Sequence, residues 1–534
     1  MKKCVNFVVL AVLYISVPIC YVSCKNVEVD LSNYWPNSPT INVFQKYITL
    51  SEDVTTVNIL NINDDVGFLI IQVHSYVENI TLSYNSTLQL HSFVTGTNVG
   101  LIYGYGESSA NFYIFRNVPN NQHVYDSFLL VVTVYDAMDP VPGGCNLSFA
   151  NMVAPYQIVS SNEEYITVES QPPSGYGVSC DDNKIQIEMY HLFMGEYDKS
   201  INGYFEGITK MLTVENVRAN GRKVPSSEGY FLYNKLFSLY RGTGEVFAIL
   251  ATFNDRTSAY VPAVSYGCDM RNWDGSCIGP ITRYWKFICA LLLILGLTIC
   301  FYGHKFFKFT LFVLGFAFGV LLTYFIITLD DHFDVDEKMV TSIMIGFLYG
   351  IIWVFIWWKF GVPVLSVQLN FILSGLLVAS IIFYAGLADF YIYRSNLVFW
   401  VTFVCIMVAC SIIWTPMSMY SHIFGCSFLG SYAFFIALNY YLGGNLQYIV
   451  INTYRRATVW NFSNAVISPP FEIIDIMHSI GWVVLVVTGC FVQLRDQRSK
   501  PPFPPNRNGV VVANTDSERT RLIPREHVEV PQYV

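Results

Sequence analysis

Two apolar segments near the carboxyl end of the chain contain side chains that could carry out nucleophilic catalysis. Ser427, in Gly425-Cys426-Ser427, could be a nucleophile, and His478 could be its base. Each lies about four or five residues inside its segment, and consecutive membrane segments start from opposite faces of the bilayer. At 1.5 Å per residue across a core of about 30 Å, the two side chains lie roughly 16 Å apart. A base must reach its nucleophile at about 3 Å, so we predict no enzyme active site and no catalytic residue.

Seven apolar segments occupy residues 284–494 and must position these side chains. A bilayer core of about 30 Å needs about 20 apolar residues in a helix. The segments reach about this length, and none has Asp, Glu, Lys or Arg in its central half. We therefore predict a multi-pass α-helical membrane protein with an N-terminal ectodomain. Its seven transmembrane helices are predicted at residues 284–302, 309–328, 339–358, 362–384, 397–415, 423–442 and 473–494.

The composition agrees with a membrane protein and excludes a nucleic-acid binder. The chain is 53% hydrophobic and 13% charged, whereas soluble proteins are about 25% charged. Its formal net charge of −8 comes without a basic cluster, so the expected partner is the lipid bilayer and not nucleic acid. Asp475 and His478 are the ionisable residues that could form an ion pathway, and we expect them at the membrane interface. A transporter or channel is therefore the alternative to a recognition or signalling protein.

Residues 1–24 have the pattern of a secretory signal peptide. Lys2 and Lys3 precede an apolar run at 5–19, and small residues follow near Cys24. This pattern predicts that residues 25–283 are extracellular and that the carboxyl terminus is cytoplasmic. The polar, proline-containing tail at 495–534 is predicted to be disordered.

Short β-branched runs indicate that the ectodomain consists of strands. Residues 68–73 and 128–134 are such runs, and 80–84 alternates with a period of two. Turn-forming clusters separate them, which is typical of β-sandwiches. We predict two extracellular β modules, at 25–143 and 144–283, and expect them to bind an extracellular protein partner.

The cysteine count of the mature ectodomain is even, which indicates disulfides in an oxidising compartment. Cys145, Cys180, Cys268 and Cys277 allow three pairings, and local loop closure favours Cys145–Cys180 and Cys268–Cys277. Zinc is a poorer interpretation because Cys-x-x-Cys spacing is absent. No metal and no cofactor are predicted.

Four glycosylation sequons begin at Asn79, Asn85, Asn146 and Asn461. The first three lie in the predicted ectodomain. The fourth lies between the sixth and seventh apolar segments, in a loop that the predicted topology also places outside.

The tail contains the pattern of a dileucine sorting signal. Glu518 stands four places before Leu522 and Ile523. An extended, exposed peptide of this kind fits a clathrin adaptor, which holds the two aliphatic side chains and the carboxylate. We therefore expect the protein at the plasma membrane, cycling through endosomes and lysosomes.

The seven segments lack the motifs of a heterotrimeric G-protein-coupled receptor. The third ends in Trp357-Trp358-Lys359 without an Asp/Glu-Arg-Tyr triad, and the seventh has no Asn-Pro-x-x-Tyr motif. Helix number alone is analogy, so an atypical receptor of this class is the second alternative.

Five short stretches carry a resemblance that spans nearly the whole chain. They are residues 142–147, 258–263, 301–306, 354–361 and 398–403. The chain resembles the transmembrane 7 superfamily member 3 family in these stretches and in the order of its parts. The resemblance implies a non-enzymatic, glycosylated plasma-membrane protein that acts in cell survival and protein-folding-stress homeostasis. It supplies neither catalytic residues nor a ligand.

Overall fold

The computed structural model describes residues 25–36, 42–50, 54–104, 106–116, 127–162, 164–182, 184–225, 233–277, 283–329, 335–361, 363–414 and 417–498. The predicted signal peptide lies outside these residues. So do Glu518, Leu522 and Ile523 of the predicted sorting signal.

The first of the two β modules is a sandwich of two sheets. One sheet has the strand order β1-β3-β8-β5-β6 and the other β2-β9-β4-β7. The apolar runs predicted from the sequence form the central strands β4 and β9, and every residue of both strands is buried. The strands are β1 (Lys25–Asp30), β2 (Val43–Ile48), β3 (Val54–Leu60), β4 (Phe68–Ser75), β5 (Ile80–Ser83), β6 (Phe93–Gly96), β7 (Asn98–Gly104), β8 (Ala110–Arg116) and β9 (Phe128–Tyr135).

The second module also has two sheets, ordered β10-β11-β14 and β13-β12-β15-β16, and β17 pairs with β15 beside β16. Two helices absent from the sequence prediction, α1 (Ile201–Thr209) and α2 (Val214–Asn220), pack against β12. The strands are β10 (Gln157–Ser161), β11 (Tyr165–Ser170), β12 (Gln186–Glu196), β13 (Arg222–Lys223), β14 (Tyr233–Ser238), β15 (Thr243–Phe253), β16 (Arg256–Ala259) and β17 (Ala263–Ser265).

The two modules share their hydrophobic cores. Tyr156 and Val261 of the second module belong to the core of the first. Leu129 and Val131 of β9 belong to a cluster with Phe205 of α1. Because burying such side chains stabilises the contact by about 1.5–3 kcal/mol each, the modules form one packed ectodomain.

The disulfides join the cysteines that loop closure favours. Cys145 pairs with Cys180 across a separation of 35 residues, and Cys268 pairs with Cys277 across 9. The second disulfide lies just before the first membrane helix, so it closes the carboxyl end of the ectodomain.

The membrane domain contains a helix at each of the seven predicted segments, which confirms the predicted fold class. Within the described residues, six helices are long and apolar enough to span a membrane, and the first contributes a shorter apolar stretch, Lys286–Tyr302. Gly319 of the second membrane helix packs closely against Gly346 of the third. The spans are α3 (Arg283–Tyr302), α4 (Phe307–Thr328), α5 (Val335–Phe360), α6 (Pro363–Tyr384), α7 (Asn396–Trp414), α8 (Ser418–Leu442) and α10 (Ile473–Gln497).

The connection between α8 and α10 contains a helix that the sequence prediction missed. This helix, α9 (Tyr448–Thr458), is amphipathic and too short to span a bilayer. It contacts α4 and α6 on the side of the bundle that faces the ectodomain. The connection therefore forms a cap on the bundle, whereas its sequence suggested a plain loop.

Candidate functional site

The ectodomain is joined to the bundle by a continuation of its own sheet. Val466, in the connection between α9 and α10, forms a parallel bridge with Phe237 of β14. The Ser238 N–H donates to the Val466 carbonyl at 2.9 Å, and the Val466 N–H donates to the Leu236 carbonyl at 2.8 Å. An edge strand offers unpaired backbone groups, and this membrane-domain segment pairs with those of β14. We call the contact formed by β14, β12, α9, the α8–α9 turn and the start of α10 the junction.

Side chains of the ectodomain enter the hydrophobic core of the bundle at the junction. Leu236 and Tyr240 belong to the same buried cluster as Phe399 of α7 and Trp482 of α10. The rings of Tyr240 and Tyr448 lie 4.8 Å apart in an edge-to-face arrangement. The ectodomain is thus packed into the bundle through side chains that both parts bury.

Arg455 of α9 binds the ectodomain from within this buried region. Its Nη1 donates to the Leu239 carbonyl at 2.8 Å and to the Ser238 hydroxyl at 3.3 Å. Its guanidinium lies 5.5 Å from the centre of the Tyr448 ring. The Ser238 hydroxyl also donates to the Asn452 side chain at 2.8 Å. Burial lowers the pKa of Arg455, and these neutral acceptors replace part of the lost hydration.

Arg456 performs the same role toward the neighbouring loop of the membrane domain. It donates to the Tyr393 carbonyl at 2.7 Å and to the Arg394 carbonyl at 3.2 Å. Its guanidinium lies 4.6 Å from the centre of the Phe399 ring, and burial lowers its pKa to about 10. Adjacent arginines therefore hold α9 to the ectodomain on one side and to the α6–α7 connection on the other.

Three carboxyl groups meet at the opposite end of the junction. Glu196 at the end of β12 accepts from the Gly444 N–H at 2.8 Å, and its own N–H donates to Glu472 Oε1 at 2.9 Å. Asp475 accepts from the Asn445 N–H at 2.6 Å and forms a capping box with Glu472 at the start of α10. Burial, followed by the charges of Asp475 and Glu472, raises the pKa of Glu196 to about 7.

The raised pKa of Glu196 predicts that acid strengthens the junction. A carboxyl group that holds its proton more tightly when folded contributes most below its ordinary pKa of 4.5, and the contribution is lost as pH rises through about 7. The midpoint of thermal unfolding of the full-length protein should therefore rise as pH falls from about 8 to about 6. Glu196→Gln should remove this rise while keeping an acceptor for Gly444. An equal rise in both proteins would contradict the assignment.

The two residues considered for hydrolysis have different partners in the structure. The Ser427 hydroxyl donates to the Cys300 carbonyl at 3.3 Å and accepts from Gln493 Nε2 at 3.1 Å. The Asn439 amide, oriented to satisfy its neighbours, donates to His478 Nδ1 at 2.6 Å. Asp475 and His478 lie in the first two turns of α10 and are buried by protein, and their expected position at the membrane interface stays a prediction. The ectodomain and the α8–α9 turn cover this end of the bundle.

The four sequons differ in how available their amides are. Asn79, Asn85 and Asn461 are exposed. Asn146 is half-buried, and its Nδ2 donates to the carbonyls of Phe149 and Asn151. Asn461 lies between α9 and α10, in the connection that pairs with β14, so it is on the same side of the bundle as the ectodomain.

This position predicts a glycan at Asn461. Asn461→Gln should remove one step from the mobility shift that glycosidase treatment produces on a gel. Asn464 is a matched control, because it is exposed and next to the sequon without being its acceptor. Asn464→Gln should therefore keep the full shift. An unchanged shift for Asn461→Gln would mean that the loop is not glycosylated.

Sequence reasoning did not identify Arg455 and Arg456 as residues that hold the ectodomain and the α6–α7 connection to α9. In the sequence they are two of several basic residues flanking apolar segments, which is how a topology rule counts them. The available signal was the amphipathic pattern of residues 448–458, in which the polar residues share a face. That pattern predicts a surface helix but does not identify what the helix contacts.

Family models match three parts of the chain. Residues 39–135 match the TM7SF3-like, N-terminal immunoglobulin-like domain, and residues 140–271 match the TM7SF3-like, second immunoglobulin-like domain. Residues 289–494 match the TM7S3/TM198-like domain. The matches follow the two sandwiches and the bundle in order.

Curated relatives match over most of their length. The chain is 30% identical to transmembrane 7 superfamily member 3 of Mus musculus over 476 residues, which are 86% of this chain and 84% of that protein. The identity to the Homo sapiens protein of that name is 29% over 463 residues, 84% of this chain and 80% of the relative. The Rattus norvegicus protein is 30% identical over 461 residues, 84% of this chain and 81% of the relative.

One solved structure with a local likeness is a glycoside hydrolase domain, Endo-D from Streptococcus pneumoniae R6. The alignment covers 43% of this chain and 34% of the hydrolase chain. Its TM-score is 0.13 at 11% identity, which is too low to carry an argument. The family models and the curated relatives instead agree on one assignment, and the packed immunoglobulin-like ectodomain and apolar helices are consistent with it. The chain belongs to the transmembrane 7 superfamily member 3 family.

Proposed function

We propose that this multi-pass membrane protein acts without catalysis, as a recognition or signalling protein of the plasma membrane. The role in cell survival and protein-folding-stress homeostasis is the one that the family resemblance implies. The observation that supports recognition and signalling is the junction, where an ectodomain strand pairs with the cap of the bundle.

The junction supports signalling because it connects the ectodomain to several helices by direct packing. Displacing β14 would break its backbone bonds to Val466 and pull Tyr240 from the cluster that contains α7 and α10. Packed interfaces of this kind switch between discrete arrangements and do not deform continuously. A partner that binds the ectodomain can therefore shift the helices if it prefers one arrangement of the junction.

A complementation experiment tests this proposal. Cells that lack the protein and are stressed with a calcium-pump inhibitor should survive less well than cells that express it at the surface. Tyr240→Phe removes the hydroxyl that contacts the Ile467 carbonyl and Asn452, and it should restore survival only in part. Tyr113→Phe, a matched change of a half-buried tyrosine in β8, should restore it fully. Equal survival with and without the protein would contradict the stress role, and full rescue by Tyr240→Phe would contradict signalling through the junction.

We also propose that a clathrin adaptor reads Glu518, Leu522 and Ile523 and that the protein cycles between the plasma membrane and endosomes or lysosomes. The support is the sequence pattern in a tail that begins beside α10. Replacing Leu522 and Ile523 by alanine should raise the surface fraction and slow antibody uptake. Uptake at the wild-type rate would show that the signal is not used.

A further inference from the structure

A cleft between the two ectodomain modules has the properties of a ligand site. Its volume is about 540 Å³, and its walls come from β6 and β7 of the first module and from β10 and β17 of the second. It lies in the ectodomain, away from the α9 arginines and the carboxyl groups of the junction. The function proposed above is argued from the junction and assigns no role to this cleft.

Two strands at the cleft end their sheets. In the part of the chain that the structure describes, β6 is the last strand of β1-β3-β8-β5-β6, and β10 is the first of β10-β11-β14. Each has a paired side, through β5 and β11, and an outer side. Outer edges offer backbone N–H and C=O groups to an added strand. Here edge strands of separate modules border one cavity.

Two buried amide side chains line the same cleft. Asn151 is 3% exposed and Gln157 is 5% exposed. The Asn151 Oδ1 accepts from the Tyr156 hydroxyl at 3.0 Å, and the Gln157 Nε2 donates to the Val261 carbonyl at 2.9 Å. Within the described residues, Asn151 Nδ2 and Gln157 Oε1 have no hydrogen-bond partner. One donor and one acceptor are therefore unpaired in the described part of the chain. The hydrogen bonds of the other two amide atoms hold both side chains in place.

The remaining donor and acceptor indicate the ligand's chemistry. A buried polar atom without a partner costs about 1–3 kcal/mol, which a ligand can recover by supplying the bond. A peptide unit carries one acceptor and one donor, which are the two kinds of group that Asn151 Nδ2 and Gln157 Oε1 lack as partners among the described residues. The described lining contains no charged side chain, and Ile158, which is 44% exposed, adds apolar surface. These walls suit an uncharged ligand and do not suit a phosphate or an acidic segment.

We propose that the cleft binds an extended, uncharged peptide segment of a partner protein, which enters between β6 and β10 as an added strand. Main-chain hydrogen bonds supply affinity in this mode, and pockets for alternate side chains supply specificity. The proposal rests on the recognition role proposed above and deepens it, because it assigns the place and chemical class of the ligand. Binding can be measured whether or not the junction transmits a signal.

The test uses the full-length protein in lipid nanodiscs and a displayed library of random dodecapeptides. Peptides selected on the wild type should bind Ile158→Arg about tenfold more weakly or worse, because the long cation occupies an apolar wall. Leu60→Arg is the matched control, as Leu60 is a 36% exposed aliphatic residue at the end of β3 and does not line the cleft. It should leave affinity unchanged. N-methylation of one central peptide amide should also weaken binding about tenfold, since it removes a main-chain donor.

The variants also separate a folding defect from a binding defect. Thr95→Lys changes an exposed residue on the opposite wall and should have the same effect as Ile158→Arg. Ile158→Arg and Leu60→Arg should unfold at the wild-type temperature, whereas Thr95→Lys loses the 2.7 Å hydrogen bond between the Thr95 and Thr81 hydroxyls and should unfold at a slightly lower temperature while remaining folded in the binding assay. Failure to select any peptide, or equal binding to wild type and both variants, would overturn the proposal. Variant-sensitive binding of a free N-glycan in place of peptides would also overturn it, because the cleft would then be a saccharide site. Failure of the complementation experiment would leave these binding results unchanged.

Discussion

Replacing Gly430 by leucine is expected to prevent the bundle from folding. A Cβ atom at Gly430 in α8 would lie 2.7 Å from the Cys300 nitrogen and 2.8 Å from the Gly296 oxygen, both backbone atoms of α3. A Cβ at Gly296 would likewise lie 2.7 Å from the Gly430 oxygen. The helices therefore touch backbone to backbone, and neither clash can be relieved by rotating a side chain. A leucine must push α3 away from α8.

The expected loss exceeds the roughly 1–3 kcal/mol of an ordinary overpacked core, because the obstacle is a rigid helix. Size-exclusion chromatography should show Gly430→Leu aggregated and absent from the monodisperse fraction. Two alanine variants compare the cost of meeting backbone with the cost of meeting a side chain. Gly430→Ala meets backbone, whereas Gly481→Ala in α10 meets the tip of the Phe435 ring, which can shift. Gly430→Ala should lower the unfolding temperature more, and the reverse order would contradict the backbone contact.

Replacing Arg455 by leucine is expected to detach the ectodomain from the bundle while leaving each part folded. Leucine occupies much of the same space but cannot donate to the Leu239 carbonyl or the Ser238 hydroxyl, which then remain buried with fewer donors. Hydrogen bonds from charged groups contribute about 1.5–3 kcal/mol each, so the loss should be about 3 kcal/mol or more. Arg455→Lys should lose less stability than Arg455→Leu but should still be less stable than the wild type, because an ammonium keeps the charge without the planar donor geometry.

Hydrogen exchange checks this prediction locally. The amides of Ser238 and Val466, which bond across the junction, should exchange faster in Arg455→Leu. The amides of β4 and β9 in the first module should keep their wild-type rates. The matched control is Lys210→Ala, which removes a cation from a half-exposed ion pair with Glu206 and should cost under about 1 kcal/mol. Global acceleration in Arg455→Leu would mean that the arginine stabilises the whole fold and not the junction.

Local patterns in the sequence predict much of this fold. The long apolar segments predict the bundle because a lipid environment requires helices of that length. The β-branched runs of β4 and β9 predict sandwich strands, and short loops between cysteines favour the observed disulfides. The glycine spacing in α8 and α3 is less informative, since a glycine in a membrane helix does not identify its neighbour. Each successful prediction depends on residues that are near one another in the chain.

Only the tertiary structure shows the junction and the cleft. Ser238 and Arg455 are 217 residues apart, and Asn98, which lines the cleft, bonds to Val264 across 166 residues. Amphipathic periodicity predicts that α9 has a buried face but does not specify that β14 covers it. An edge strand likewise does not encode which segment will pair with it, because its backbone groups are the same in every sequence. The parts of this protein are therefore determined by local periodicity, whereas their coupling depends on which surfaces the folded chain brings together.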